Sequence, residues 1–199
     1  ALFSRPEMKT ERVSYDVMTP SAARGIIEAI YWHPGLRWII DKIYVLSPIQ
    51  FTNIRRNEVK AKASARAAKQ AMTKKNLALY LSTKEEIQQR ASMVLCKVHY
   101  VIDKANASDN AGKFQDIIRR RLKRGQCYHT PYFGCREFPG NFREYEFDSV
   151  PTAYAGEDKE LGYMLYDMDY SDLQHIRPMF FKATLHNGVL DLRDCEVHS

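Results

Sequence analysis

The sequence predicts an α+β protein, with a split βαβ arrangement of the ferredoxin-like kind followed by a small antiparallel β element. Three observations carry that expectation. Two helical stretches, near residues 21–32 and 113–124, are each flanked by short runs rich in β-branched and aromatic residues. The order strand–helix–strand can therefore be read twice along the chain. Near the C-terminus, Asn187-Gly188 joins two apolar runs, and that pair is the strongest short hairpin signal.

Taken in order, the elements are as follows. Leu2–Phe3 and Glu11–Val17 are the stretches available for a strand before the first helix. Thr19-Pro20 supplies an N-cap with proline at the first helical position. The helix then runs over Ser21–Trp32, with Ala22, Ala23, Ile26, Ile27 and Ile30 on one stripe, and Pro34-Gly35 ends it. Leu36–Leu46 reads as a strand, closed by Pro48, and IQFTNIRRNEV as a second extended piece. Residues 60–75, rich in alanine and lysine with no apolar stripe, read as an exposed helix or a basic loop. MVLCKVHYVI reads as the next strand. Lys113–Arg124 forms the second helix, with Phe114, Ile117, Ile118 and Leu122 at helical spacing and Gly125 at the C′ position. CYHTPYFGCREF and LGYMLYDMDY are strand-like, and MFFKATL and VLDL form the final hairpin.

Composition narrows the functional classes. Of 199 residues, 45% are hydrophobic and 27% charged, ordinary values for a globular protein. No apolar run approaches the roughly 20 residues that cross a bilayer. No signal peptide is visible, and a cytoplasmic location follows. The four cysteines, Cys96, Cys127, Cys135 and Cys195, lack metal-site spacing and read as reduced thiols. Charge is divided unevenly. Residues 1–136 hold 25 Lys and Arg against 11 Asp and Glu, a net of +14; residues 137–199 hold 5 against 13, a net of −8. The clustered basic residues of the first part suggest a polyanion-binding face.

Three long blocks carry a resemblance. Residues 5–59, RPEMKTERVSYDVMTPSAARGIIEAIYWHPGLRWIIDKIYVLSPIQFTNIRRNEV, come first. Residues 110–138, NAGKFQDIIRRRLKRGQCYHTPYFGCREF, form the second, and LGYMLYDMDY with the final hairpin the third. Together they resemble the type I-C form of the Cas-five family of CRISPR-associated proteins, repeat-RNA endoribonucleases of the RAMP superfamily. The resemblance implies an RRM-like domain over residues 1–138, carrying RNA binding and nuclease chemistry, with a basic insertion near 50–85. Residues 139–199 are then a C-terminal β-hairpin or sheet element. It also implies a short segment before Ala1 that completes the first strand.

The same resemblance implies a nuclease without metal or other cofactor. A ribose 2′-hydroxyl attacks the adjacent phosphate, leaving a 2′,3′-cyclic phosphate and a free 5′-hydroxyl. That chemistry needs help in deprotonating the hydroxyl, a cation for the transition-state charge, and a means of holding the nucleotide in line. Tyr31 matches the family's catalytic tyrosine and Lys113 its catalytic lysine. Some relatives have histidine after that lysine; here it is Phe114, which transfers no proton. Either Tyr31 and Lys113 act alone, or another histidine supplies the proton; His33 and His129 are the candidates, and His129 lies in the matching block.

Basic residues near extended or helical segments complete the RNA-binding expectation: Lys9, Arg12, Arg55, Arg56, Arg119, Arg120 and Arg124. Phe51 and Tyr44, close in sequence to Arg55 and Arg56, suit base stacking. The implied partners are CRISPR repeat or guide RNA and other interference-complex subunits, a Cas-seven backbone and a large subunit, with no membrane. A second reading is a non-catalytic architectural subunit that caps the 5′ handle of the guide RNA. A third is a basic RNA-binding module unrelated to CRISPR, which would need all three blocks to match by accident.

Overall fold

A computed structural model describes residues 1–8, 10–74, 79–108 and 110–199. The elements follow in chain order: β1 (Arg12–Val13), α1 (Pro20–Ile30), β2 (Arg37–Val45), β3 (Phe51–Val59), α2 (Ala65–Thr73) and β4 (Ile87–Leu95). Then come β5 (Tyr100–Ala107), α3 (Ala111–Arg124), β6 (Asp158–Asp169), β7 (Arg177–His186), β8 (Val189–Asp191) and β9 (Val197–His198). The protein is thus α+β, as its sequence pattern indicates. No helix among the described residues is long and apolar enough to cross a membrane.

A six-stranded sheet runs in the order β5-β2-β8-β7-β6, with β9 paired to β7. β2 and β5 lie antiparallel from Arg37↔Ala107 to Val45↔Tyr100, so the strand after α1 pairs with the strand before α3. The strands after residue 139 extend the same sheet, because β8 pairs with β2 at Ile43↔Leu190. The Asn187-Gly188 hairpin forms where its sequence marks it. Both residues have positive φ, 53° and 74°, as a type I′ turn requires. One continuous core, centred on Tyr15, Met18, Ile30, Trp38, Ile43, Ile118, Met164 and Phe181, lies under α1 and α3.

Between β2 and β5 the chain leaves this sheet. β3 and β4 form a long antiparallel pair, Phe51↔Leu95 to Val59↔Ile87, and β1 adds to β4 in parallel to make a second, three-stranded sheet. α2 belongs to this insertion. Ser64 caps it, yet none of its residues is buried, which fits the absence of an apolar stripe.

Four sequence expectations need correction. MVLCKVHYVI is not one strand. It is broken between β4 and β5, with Lys97 at φ 48°, because its two halves pair in different sheets. CYHTPYFGCREF is not a strand either. It holds one isolated bridge, Tyr132↔Pro139, and its other backbone bonds go to α1, to the N-terminus and to turns within the loop rather than to a ladder. Pro131 and Gly134 suit that irregular path. In addition, α1 stops at Ile30 instead of Trp32, for reasons given below. Within Glu11–Val17 only Arg12–Val13 forms a strand, and it pairs with β4 rather than in the large sheet.

The loop after α3 is fixed to the N-terminus at one tight point. Gly134 adopts φ +82°, and a Cβ there would overlap the backbone carbonyl of the buried Leu2. The Leu2 N–H in turn donates to Phe133 O at 3.1 Å. Gly134→Ala must therefore combine left-handed strain with a backbone clash. A loss of at least about 2 kcal/mol is expected, read as a melting point lowered by about 4–8 °C.

Candidate active site at the end of the first helix

The last carbonyls of a helix have no partner inside it. In α1 they find partners from three other parts of the chain. Ala29 O accepts from the Tyr128 N–H at 2.8 Å and the His129 N–H at 3.3 Å. Ile30 O accepts from Arg121 Nη1 at 2.8 Å. Tyr31 O accepts from the indole Nε1 of Trp38 at 2.8 Å. The loop after α3, α3 itself and β2 all meet at this one helix end.

These bonds explain why α1 stops where it does. Tyr31 is the C-cap, extended at φ −153° and ψ 122°, with its N–H still bonded to Ile27 O. Its ring contacts two residues of α3. The Arg121 guanidinium sits 5.0 Å from the ring centroid, and the Phe114 ring lies 6.1 Å away. A cation is also favoured here by the negative end of the α1 dipole. His33 packs on Phe114 with ring centroids 5.4 Å apart.

A cleft of about 950 Å³ runs along α1 from this point. Ser21, Ala22, Gly25, Glu28 and Ala29 line its helical wall. Tyr31, Trp32 and Arg121 line it where α1 ends, together with Tyr128, His129 and Tyr132 of the loop after α3. His129 stacks on Tyr132 at 6.3 Å and 23°, and meets Tyr128 edge-on at 5.9 Å. Trp32 and Tyr128 remain 58% and 85% exposed at the mouth. Arg24 holds Asp167 of β6 through both terminal guanidinium nitrogens, Nη2 reaching Oδ1 at 2.9 Å. Arg24 also lies 3.6 Å from Glu28. Partial burial pushes the Glu28 carboxyl above the usual carboxylate range, against the pull of Arg24.

The residues singled out in the sequence fall into distinct places. Tyr31 and His129 line the same cleft. Lys113 is exposed in the first turn of α3, beside the buried Phe114 and outside the cleft wall. Arg12 pairs with Glu58 at 3.3 Å, Arg56 with Glu137 at 2.8 Å, and Arg119 with Glu144 at 3.0 Å. Arg55, Arg120 and Arg124 are exposed, and no ion pair among the described residues involves them. Lys9 lies outside the described residues. Phe51 is 39% exposed at the start of β3, while Tyr44 is half-buried opposite Val101. Among the described residues no cluster of three His, Cys, Asp or Glu side chains is placed to hold a metal ion. All four cysteines are free.

Sequence reasoning missed Arg121, Trp32, Tyr128 and Tyr132. For Arg121 a signal existed: Phe114, Ile118 and Arg121 stand at i, i+4 and i+7, one face of α3. For the three aromatics no periodic signal exists, because they lie on irregular backbone that only the tertiary fold brings together.

Comparisons with known proteins agree with one another. A family model described as CRISPR-associated protein (Cas_Cas5) matches residues 1–193. A protein of Mannheimia succiniciproducens named CRISPR pre-crRNA endoribonuclease Cas5d is 46% identical over 204 residues, covering 96% of this chain and 90% of its own. A protein of the same name from Thermus thermophilus is 36% identical over 214 residues, covering 96% and 86%. Two crystal structures share the fold. A functionally uncharacterized protein from Streptococcus mutans has a TM-score of 0.68 at 21% identity, covering all of this chain and 92% of that one. A structure titled only as a CRISPR-associated protein has a TM-score of 0.66 at 20% identity, covering 94% and 88%.

The convergence on α1 makes Arg121 structural as well as cationic. Arg121→Met keeps the stem but loses the bond to Ile30 O and the charge over Tyr31. Stability should fall by about 1–2 kcal/mol, measured as a lower denaturant midpoint at unchanged slope. Arg120→Met, one residue away and exposed, should stay within about 0.5 kcal/mol of the parent. Equal effects from the two would remove Arg121 from the helix cap.

Proposed function

The chain belongs to the Cas5 family of CRISPR-associated proteins, and on that premise we propose that it cuts precursor CRISPR RNA within the repeat without a metal ion. Both relatives named above carry the name of a pre-crRNA endoribonuclease, and this chain covers nearly all of each. The single observation that carries the reading is the setting of Tyr31, fixed at a helix end against Arg121 and Phe114 on the rim of an aromatic cleft.

The reaction is an internal displacement. The ribose O2′ forms a bond to the adjacent phosphorus as its proton leaves, and the bond from phosphorus to O5′ breaks as that oxygen gains a proton. The products are a 2′,3′-cyclic phosphate and a 5′-hydroxyl. Tyr31 positions the 2′-hydroxyl and takes part in its deprotonation. The Arg121 guanidinium, 5.0 Å from the centroid of the Tyr31 ring, holds that ring in place. Lys113, at the positive end of α3, meets the phosphate oxygens, where negative charge grows in the transition state. Phe114 leaves the position after the lysine without a proton donor. His129, on the cleft wall, is assigned to protonate O5′; His33, packed on Phe114, is the alternative donor.

In this reading the chain is a type I-C protein of the cytoplasm and has a ferredoxin-like, RRM-like core over residues 1–138, with 139–199 completing the sheet. After the cut it stays on the 5′ handle as a subunit of the interference complex, beside a Cas-seven backbone and the large subunit. Of the arginines singled out in the sequence, the exposed Arg55, Arg120 and Arg124 are the ones that meet phosphates. The ion pairs of Arg12, Arg56 and Arg119 give those three a mainly structural role.

One experiment tests the chemistry. Purified protein with end-labelled repeat RNA in EDTA should cut at one position, and a 2′-deoxyribose at the cut nucleotide should abolish the reaction. Tyr31→Phe and Lys113→Ala should each slow single-turnover cleavage by about 10²-fold or more while changing the dissociation constant only a few-fold. Loss of activity in EDTA with rescue by magnesium, or equal loss of binding in both variants, would refute the mechanism.

A further inference from the structure

We infer that the cleft along α1 seats one unpaired nucleobase of the RNA, lying against the helix at Gly25 and stacked at the cleft mouth by Trp32 and Tyr128. This rests on the endoribonuclease reading and deepens it, because it names what holds the nucleotide next to Tyr31.

The first support is a glycine that packing does not explain. Gly25 is the sixth of the eleven residues of α1, where glycine is disfavoured relative to alanine. Its φ is not in the left-handed region, and a Cβ built on it would meet nothing within 4 Å. Folding alone would therefore gain from a side chain at this position. The open space faces the cleft, between Ser21 and Ala22 on one side and Ala29 on the other. A glycine at such a point lets a ligand approach the helix backbone closely.

The second support is independent of the helix. Trp32 and Tyr128, two large aromatic side chains, stand 58% and 85% exposed at the mouth of the same cleft. Trp32 follows the C-cap and Tyr128 is anchored through its N–H to Ala29 O, so both backbones are fixed while the rings stay open. Rings held this way are platforms for bases, whose faces all stack regardless of sequence.

Charge gives the orientation. Glu28 lines the Gly25 part of the cleft, and the nearby Arg24 is already taken by Asp167. A phosphate is disfavoured there, whereas the N–H edge of a base finds an acceptor. The cation, Arg121, lies at the Tyr31 end. Base toward Gly25 and Glu28, phosphate toward Arg121, is the arrangement that places the reacting ribose beside Tyr31. A volume of about 950 Å³ is sufficient, as small-molecule sites run roughly 300–1,000 Å³.

The test uses the whole protein and repeat RNAs carrying a single abasic nucleotide at each unpaired position in turn. Gly25→Leu should melt no lower than the parent, since leucine favours helix and the space is empty. Yet it should bind intact repeat RNA about tenfold more weakly, and Trp32→Ala about 5- to 150-fold more weakly. One abasic position should weaken binding to the parent by a similar factor and add nothing further in either variant. If no abasic position matters, or if the losses multiply, the seat is refuted. Gly25→Ala, which adds one methyl, should melt higher, and binding by it that falls as far as for Gly25→Leu with no abasic coupling would equally refute it. The two readings fail separately. A parent protein that cuts repeat RNA without such coupling refutes only the seat, and one that shows the coupling but never cuts refutes only the nuclease.

Discussion

The unpaired carbonyls at the end of α1 are the constraint on which the rest of the site depends. A helix that ends inside a protein must have these oxygens satisfied. Here no glycine cap does it; a tryptophan indole, an arginine and two loop amides do. The donors come from three parts of the chain, so satisfying one helix end fixes β2, α3 and the 128–129 loop relative to Tyr31. The chemical groups of the cleft are thus brought together by a requirement of folding. Arg121 shows this most clearly, since the same guanidinium closes the helix and lies over the tyrosine ring.

Charge is used differently from what its distribution along the chain suggests. The acidic C-terminal part does not stand apart from the basic part. Glu137 pairs with Arg56, and Glu144 and Glu146 pair with Arg119 and Lys123. These contacts draw the segment after residue 136 across α3 and tie the β3–β4 insertion to the loop after α3. They also engage Arg56, Arg119 and Lys123, which are then less open to a polyanion. Of the arginines singled out in the sequence, Arg55 on the insertion and Arg120 and Arg124 on α3 stay exposed and outside any ion pair among the described residues, a narrower set than that sequence reading implies. Ion pairs of this kind at partly exposed sites each contribute little to stability. Their consequence is geometric.

Much of the fold is legible in the sequence because its signals are local. Thr19-Pro20, the Phe114 stripe ending at Gly125, and Asn187-Gly188 each act through a few neighbouring residues, and each forms where it is written. Elements set by distant pairing are not legible in that way. MVLCKVHYVI has the composition of one strand but serves two sheets, and CYHTPYFGCREF has strand-like residues of which the Tyr128 and His129 amides are claimed by α1 and the Phe133 carbonyl by Leu2. The site divides along the same line. Tyr31 and Lys113 can be named from motifs that resemble a family, whereas Trp32, Tyr128 and Tyr132 share a cleft only because three elements converge. Arg121 lies between these cases: its helical spacing from Phe114 is visible, but arginine on an apolar face reads first as a break in the pattern.

The measurement that tests this convergence most directly is a double-mutant cycle on cleavage between Tyr31→Phe and Arg121→Met, by single turnover with saturating protein in EDTA. If Arg121 acts through Tyr31, the double variant should be hardly slower than the slower single variant, a coupling of about 1.4 kcal/mol or more, or at least tenfold in rate. Losses that multiply, leaving no coupling, would mean that the arginine and the tyrosine act independently and that the end of α1 is not the organiser of the site.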